Sequence, residues 1–198
     1  MTKVTCDMAM SVDGFTAGPN QGPDKPFGDG AVDRLHQWMF EEPEANAAAI
    51  EAIGAAGAYV MGRNLFGPGR GGWDLDWKGW WGDEPPYHAP VFVLSHHPRE
   101  PLVMQGGTTF TFVTDGIDSA LAQAREAAGE ADVAIAGGAA TVNQYLAAGS
   151  IDELRLHVVP AVLGAGERLL DGVGAIGLEQ LAVSGTDHVT HLPSRVLR

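Results

Sequence analysis

The sequence predicts a single α/β domain built on one twisted, mainly parallel sheet with an antiparallel C-terminal edge. Two patterns carry this. Between Val4 and Val159, short apolar runs alternate with segments of helical period, as strands joined by crossover helices do. After Pro160 no helical period follows, and two strand-like runs close the chain, which suits antiparallel neighbours. A length of 198 residues fits one domain, and no repeat or linker divides it.

Val4 to Ser11 reads as a buried first strand ending at the Asp13-Gly14 turn. Residues 16–30 are rich in Gly, Pro, Asn and Asp and read as a long loop, a length that often carries function. Ala31 to Glu41 and Glu44 to Ala56 are expected helices separated by Pro43: Val32, Leu35, Trp38 and Met39 recur at helical spacing, and the second segment is rich in alanine. Ala58 to Met61 and Val91 to Ser95 are short apolar strands. Thr109 to Thr114 alternates as a strand, Ile117 to Ala128 is a helix, and Asp132 to Ala136 is a strand. Thr141 to Ala148 is a short helix closed by Gly149, and Leu154 to Val159 is a strand that Pro160 ends. Strands over Leu178 to Ser184 and His188 to Leu197 finish the chain.

Composition narrows the function. The formal net charge of -13 sets the field of the whole molecule against nucleic acid and anionic membranes, so an anionic ligand needs a local positive pocket. Cys6, the single cysteine, forms no internal disulfide and builds no multi-cysteine zinc site. No apolar run approaches the ~20 residues that span a bilayer, and no apolar signal core opens the sequence. A cytoplasmic protein is expected.

The strand ends hold the candidate chemistry. Val133 to Ala136 runs into Gly137-Gly138-Ala139-Ala140-Thr141, paired glycines ahead of a helix. Glycine lets the backbone approach a pyrophosphate, and a helix N-terminus offers unpaired N–H groups and a positive dipole end; a tight strand-to-helix turn is the structural alternative. Met61-Gly62-Arg63-Asn64 repeats the logic, Arg63 supplying a guanidinium suited to a 2′-phosphate, or else a solvated surface charge. Val93-Leu94-Ser95-His96-His97 adds a hydroxyl and imidazoles able to bond a ribose phosphate or border adenine. Adjacent histidines point different ways from a strand, so no metal site is expected. Asp13 follows the first strand, where it either orients a substrate or shapes its own turn. Gly67-Pro68-Gly69-Arg70-Gly71-Gly72 matches a dinucleotide fingerprint in form, but no helix follows, so the match is discarded. Trp73, Trp77, Trp80 and Trp81 sit in an irregular Gly- and Pro-rich stretch, either burying a loop or facing a substrate or partner.

Ser11-Val12-Asp13-Gly14, Met61-Gly62-Arg63, Val93-Leu94-Ser95-His96, Gly137-Gly138-Ala139 and Ile151-Asp152-Glu153-Leu154 through Leu163-Gly164-Ala165-Gly166 occur in that order over nearly the whole chain. The set resembles the dihydrofolate-reductase-like family, and more narrowly the reductase domain at the C-terminus of the bifunctional deaminase-reductase of riboflavin biosynthesis. The resemblance implies a three-layer α/β/α fold and a homodimer. It also implies an NADPH-dependent reductase of a small pyrimidine- or pterin-like substrate, such as 5-amino-6-(5-phosphoribosylamino)uracil. It assigns Gly62, Arg63 and Asn64 to the adenosine-phosphate part of NADPH, Leu94, Ser95 and His96 to its 2′-phosphate and adenine, and Gly137, Gly138, Ala139 and Thr141 to its pyrophosphate. Asp13 and Glu167 are the candidates for orienting substrate.

The family's folate reducers carry an acidic residue on the first helix. Asp33 is the only candidate here, and the helix dipole alone explains it, so folate or dihydropterin reduction is the alternative rather than the main reading. The deaminase motifs His-x-Glu and Pro-Cys-x-x-Cys do not occur, so deamination is not expected. A non-catalytic nucleotide-binding protein, or a dimeric module presenting the tryptophan stretch to a partner, are the rival classes.

Overall fold

A computed structural model describes residues 2–69 and 71–197. In chain order the elements are β1 (Val4–Ser11), β2 (Phe15–Ala17), α1 (Arg34–Glu41), α2 (Ala47–Gly54), β3 (Ala58–Gly62), α3 (Arg63–Phe66), β4 (Pro90–Leu94) and β5 (Leu102–Val103). After them come β6 (Thr109–Val113), α4 (Ile117–Ala128), β7 (Val133–Gly137), α5 (Ala139–Ala147), β8 (Glu153–Val159), β9 (Glu167–Arg168), β10 (Gly177–Gln180), β11 (Ser184–Thr186) and β12 (Val189–Leu197).

The main sheet runs β10-β12-β8-β1-β7-β3-β4-β6-β5, with β11 also beside β12. Strands β8, β1, β7, β3, β4 and β6 are mutually parallel. Antiparallel strands flank both sides: β12 pairs β8 at one, β5 pairs β6 at the other. The expected antiparallel C-terminal edge is therefore present, and β5 adds a second that its two-residue length conceals in the sequence. A further small sheet pairs β2 with β9.

Alternation along the strands divides the core. Val4, Cys6 and Met8 of β1, with Ala58, Val60, Val133 and Ile135, pack against α4 and α5 through Leu121, Ala124, Val142, Tyr145 and Leu146. The opposite face has two covers. Over β1, β8 and β12 lie α1 and α2, anchored by the fully buried Leu35 and Trp38. Over β3, β4 and β6 lies the tryptophan stretch, where Trp73, Trp77, Trp81 and Tyr87 meet Phe66 and Phe110. The three-layer expectation holds with one change: half of one outer layer is an aromatic loop rather than a helix.

Several boundaries move for local reasons. The first two helices start three residues later than periodicity suggests, at Arg34 and Ala47. The single strand expected over Leu178 to Ser184 splits into β10 and β11, both pairing with β12. Past the strand end expected at Gly62-Arg63-Asn64, Gly62 caps a single helical turn over Arg63–Phe66. The long loop contains β2, and its remainder is tied to itself: Gly18 N–H donates to Phe27 O at 2.8 Å and Asp29 N–H to Pro19 O at 2.8 Å. No helix among the described residues is long and apolar enough to cross a membrane.

Candidate cofactor-binding site

Because β3, β4 and β7 run parallel as neighbours, their carboxyl ends share one rim. The register pairs Gly62 with Leu94 and Met61 with Gly137. The glycine-bearing ends that the sequence singles out are thus side by side, at the end of an α/β sheet where ligands commonly bind.

Gly137 has φ +120, a left-handed value that side chains avoid, and Gly138 then caps α5. The peptide between them is cis. A Cβ placed on Gly138 would meet nothing within 4 Å, so the space ahead of α5 is open. Thr141 and Val142 N–H both donate to Gly138 O, at 3.0 and 3.1 Å. The preceding amides at the helix start are the ones a pyrophosphate would use. Gly62 has a different reason: a Cβ there would lie 2.3 Å from Thr141 Oγ1, so glycine lets the first turn of α5 press onto β3.

Other expected residues are placed less simply. Arg63 turns into the loop that follows it, donating to Gly71 O and, at 3.1 Å, to Gly72 O, with its guanidinium 3.9 Å from the Trp73 ring centroid. It braces the aromatic loop instead of projecting as a free cation. Asn64 is exposed beside a small hollow lined also by Gln21, Pro26 and Trp80. Leu94 packs its side chain into the core, leaving only its backbone at the rim. Ser95 is buried, and its Oγ accepts from His97 N–H at 3.0 Å, whereas His96 is exposed. In the discarded glycine motif, Gly67 has a packing role: a Cβ would lie 2.5 Å from Trp77 Nε1. Arg70 lies outside the described residues.

Asp13 is committed to loop closure. Its carboxylate accepts from Ser11 Oγ at 2.6 Å, Leu163 N–H at 3.0 Å and Gly164 N–H at 2.7 Å. The Ser11 bond, the largest effect, together with the two backbone donors holds its pKa down to about 2 against burial, which opposes them and outweighs either backbone bond alone. A carboxylate so held is a poor proton donor, so the turn-shaping role has the partners here. Glu167 sits on β9, exposed, lining an open depression of about 410 Å³ with Gly18, Pro19, Asn20, Gln21 and Gly166.

Two residues near this rim went unread in the sequence. Arg168 donates to Asp13 O at 3.0 Å and places its guanidinium 4.3 Å from the Phe15 ring centroid. Asn143 of α5 donates to Arg168 O at 3.3 Å and accepts from Leu170 N–H at 2.8 Å, fastening β9 to the glycine-headed helix. A two-residue strand leaves no periodicity to find Arg168 by, and Asn143 takes its role only from that strand. Among the described residues, no group of three or more His, Cys, Asp or Glu is placed to hold a metal.

This sheet order and these strand ends define an α/β protein of dihydrofolate-reductase-like fold. Residues 2–192 match the RibD C-terminal domain, and the chain belongs to that family. Among solved structures it is similar to a riboflavin biosynthesis protein from Shewanella sp. PV-4, at 23% identity and a TM-score of 0.66, with both chains covered fully. It is also similar to Acinetobacter baumannii RibD, at 19% identity and a TM-score of 0.60, spanning all of this chain but 59% of that one. A pyrimidine reductase-like protein from Corynebacterium diphtheriae aligns at 15% identity and a TM-score of 0.57, over all of this chain and 92% of the other. At these identities the likeness concerns the fold. No curated protein matches the sequence.

Proposed function

We propose that this chain is an NADPH-dependent reductase that transfers hydride to a C=N or C=O bond of a small pyrimidine- or pterin-like acceptor. The observation that carries the reading is the shared rim of β3, β4 and β7, with an open space in front of Gly138 at the head of α5. Membership of the RibD C-terminal family supports reduction as the chemistry.

NADPH, when bound, supplies the hydride. The chain's part is binding and alignment. The backbone amides of Gly138 to Ala140, just ahead of Thr141, would hold the pyrophosphate, Gly62 would let α5 sit close to the rim, and Ser95 and His96 would border the adenosine end. The depression beside Glu167 is within the usual size of a small-molecule site, roughly 300–1,000 Å³, and would take the acceptor, with Asp13 keeping its wall in place. A second copy of the chain would pair through the exposed β10–β12 edge, where Leu178, Leu181, Val183 and Leu197 present apolar surface.

NADPH fluorescence and thermal shift test the binding claim; a saturable change at micromolar to sub-millimolar cofactor is expected. Ala140→Glu puts a carboxylate in the first turn of α5, where the dipole favours it and it competes with the pyrophosphate. Affinity should fall at least tenfold with the fold intact. No saturable binding by the unaltered protein would defeat the reading. Binding without NADPH oxidation across pyrimidine, dihydropterin and small carbonyl acceptors would favour the non-catalytic alternative.

A further inference from the structure

Beneath α1 and α2 lies a polar cluster that the reductase reading does not use. Asp7 of β1, Arg155 and His157 of β8 and His191 of β12 share one sheet face, since Asp7 pairs with Arg155 and His157 with His191 across the strands. Asn46, just ahead of α2, and Trp38 of α1 close over them. Asn46, His157 and His191 are all buried.

The hydrogens in this cluster can be counted from one end. Asn46 Nδ2 donates to Glu42 O at 2.8 Å and Trp38 O at 3.3 Å, which fixes the amide and makes its Oδ1 an acceptor. His191 Nε2 lies 2.8 Å from that Oδ1 and must carry hydrogen. Its Nδ1 is 2.8 Å from His157 Nδ1, so one of these two nitrogens donates to the other. With His191 neutral the donor is His157 Nδ1. What remains is His157 Nε2, 3.3 Å from Asp7 Oδ1, and neither of these buried atoms has another hydrogen-bond partner. A lone pair there would face a carboxylate oxygen in a site closed to water; a second hydrogen makes the contact an ion pair.

We propose that His157 is held as a buried imidazolium, paired with Asp7 and hydrogen-bonded to a neutral His191, and that this charge latches the α1–α2 layer onto the sheet.

The charged and titratable surroundings fit this assignment. Arg155 reaches Asp7 Oδ2 at 3.3 Å, Glu153 Oε1 at 2.7 Å and, on α2, Ala52 O at 3.4 Å. Glu153 also takes Lys3 at 3.2 Å. Asp7 thus lies between the Arg155 guanidinium and the His157 ring. Glu42, which follows α1, is occupied by Thr186 and by His188 at 3.2 Å. Tyr59 of β3 donates to Ile53 O at 3.3 Å, and Glu51 of α2 is exposed. His36 of α1 and His191 are both pushed toward the neutral form, by burial first and then by positive charge on His157. Trp38 lies 5.0 Å, ring to ring, from each of the two buried histidines. The latch also reaches the loop beside the depression: the His36 ring rests 4.6 Å from Phe27 in the self-tied loop whose residues 18–21 line it.

Nitrogen-15 NMR of histidine-labelled full-length protein at pH 7.5 reads the protonation state directly. His157 should show two protonated ring nitrogens, and His191 a neutral ring protonated at Nε2. A neutral His157, or the charge on His191, would overturn the assignment. Asp7→Asn should return His157 to the neutral form and speed amide exchange over residues 34–54 at least tenfold, leaving residues 58–62 and 90–94 unchanged. Unchanged exchange over residues 34–54 would overturn the latch. Should Asp7→Asn fail to fold, His157→Gln supplies the exchange comparison and the spectrum of the unaltered protein decides the charge.

Discussion

One face of the sheet is covered in two unlike ways. Over β3, β4 and β6 the cover is aromatic: Phe66 sits 5.1 Å from Phe110 and 5.7 Å from Trp73, and Trp81 lies 5.1 Å from Tyr87. Over β8, β1 and β12 it is a pair of short helices seated on histidines, an arginine and a carboxylate. The aromatic half is held mainly by apolar area, which is tolerant of direction, with Arg63, Trp73 and Trp77 adding hydrogen bonds to backbone carbonyls. The histidine half is held by directed bonds, each of which leaves a buried partner behind when it is lost. Short helices need that help. At eight residues each, α1 and α2 are below the length at which a helix is stable alone in water.

The largest expected effect breaks the aromatic half. Phe110 is fully buried at the centre of the ring cluster. Phe110→Ala should cost about 3–5 kcal/mol in urea unfolding, with the tryptophan loop released first. A loss under about 1 kcal/mol would mean that the loop is not a structural layer. In the histidine half, Asn46→Ala removes the side-chain donor from Trp38 O and Glu42 O, the latter keeping its bond from the residue 46 N–H, and strands the Nε2–H of His191. It should cost about 1–3 kcal/mol, and an apolar residue of similar size should not recover the loss.

Acid separates the halves further. Burial and the charge on His157 lower the His36 pKa to about 4. The unfolded chain, with His36 near its ordinary value, therefore binds more protons between these two points. The contribution of His36 is full above pH ~6.5 and falls as pH drops toward ~4. His36→Phe should flatten that slope in equilibrium unfolding, while substitutions in the aromatic half leave it unchanged. The smallest effect belongs to the surface: Arg195 and Glu179 form an exposed pair on β12 and β10, and Arg195→Ala should shift stability by under about 1 kcal/mol, less at high salt.

The parallel centre was legible because its strands are buried on both faces and appear as short continuous apolar runs such as Val91-Phe92-Val93-Leu94. The helix α4 matched residue for residue, since its apolar face repeats cleanly and Gly129 stops it. The glycine pair at Gly137-Gly138 was legible for the same local reason. The two-residue strands β5 and β9 carry no pattern, so Arg168 stayed hidden, and with it the partner that gives Asn143 of α5 its role. The sequence offers Arg63 as a phosphate ligand or a surface arginine, and does not show that Gly71, Gly72 and Trp73 fold back onto it. The histidine pair was invisible for a register reason. His157 and His191 are 34 residues apart and meet only because β12 returns antiparallel along β8, whereas the adjacent His96 and His97, conspicuous in the sequence, stay apart from that cluster.

The central claim is that the rim of β3, β4 and β7 receives a dinucleotide. A structure of the protein with NADPH tests it most directly. The pyrophosphate should lie against the backbone of residues 138–141 at the start of α5, with the nicotinamide turned toward the depression beside Glu167. A dinucleotide bound away from that rim, or none at saturating NADPH, would contradict the account.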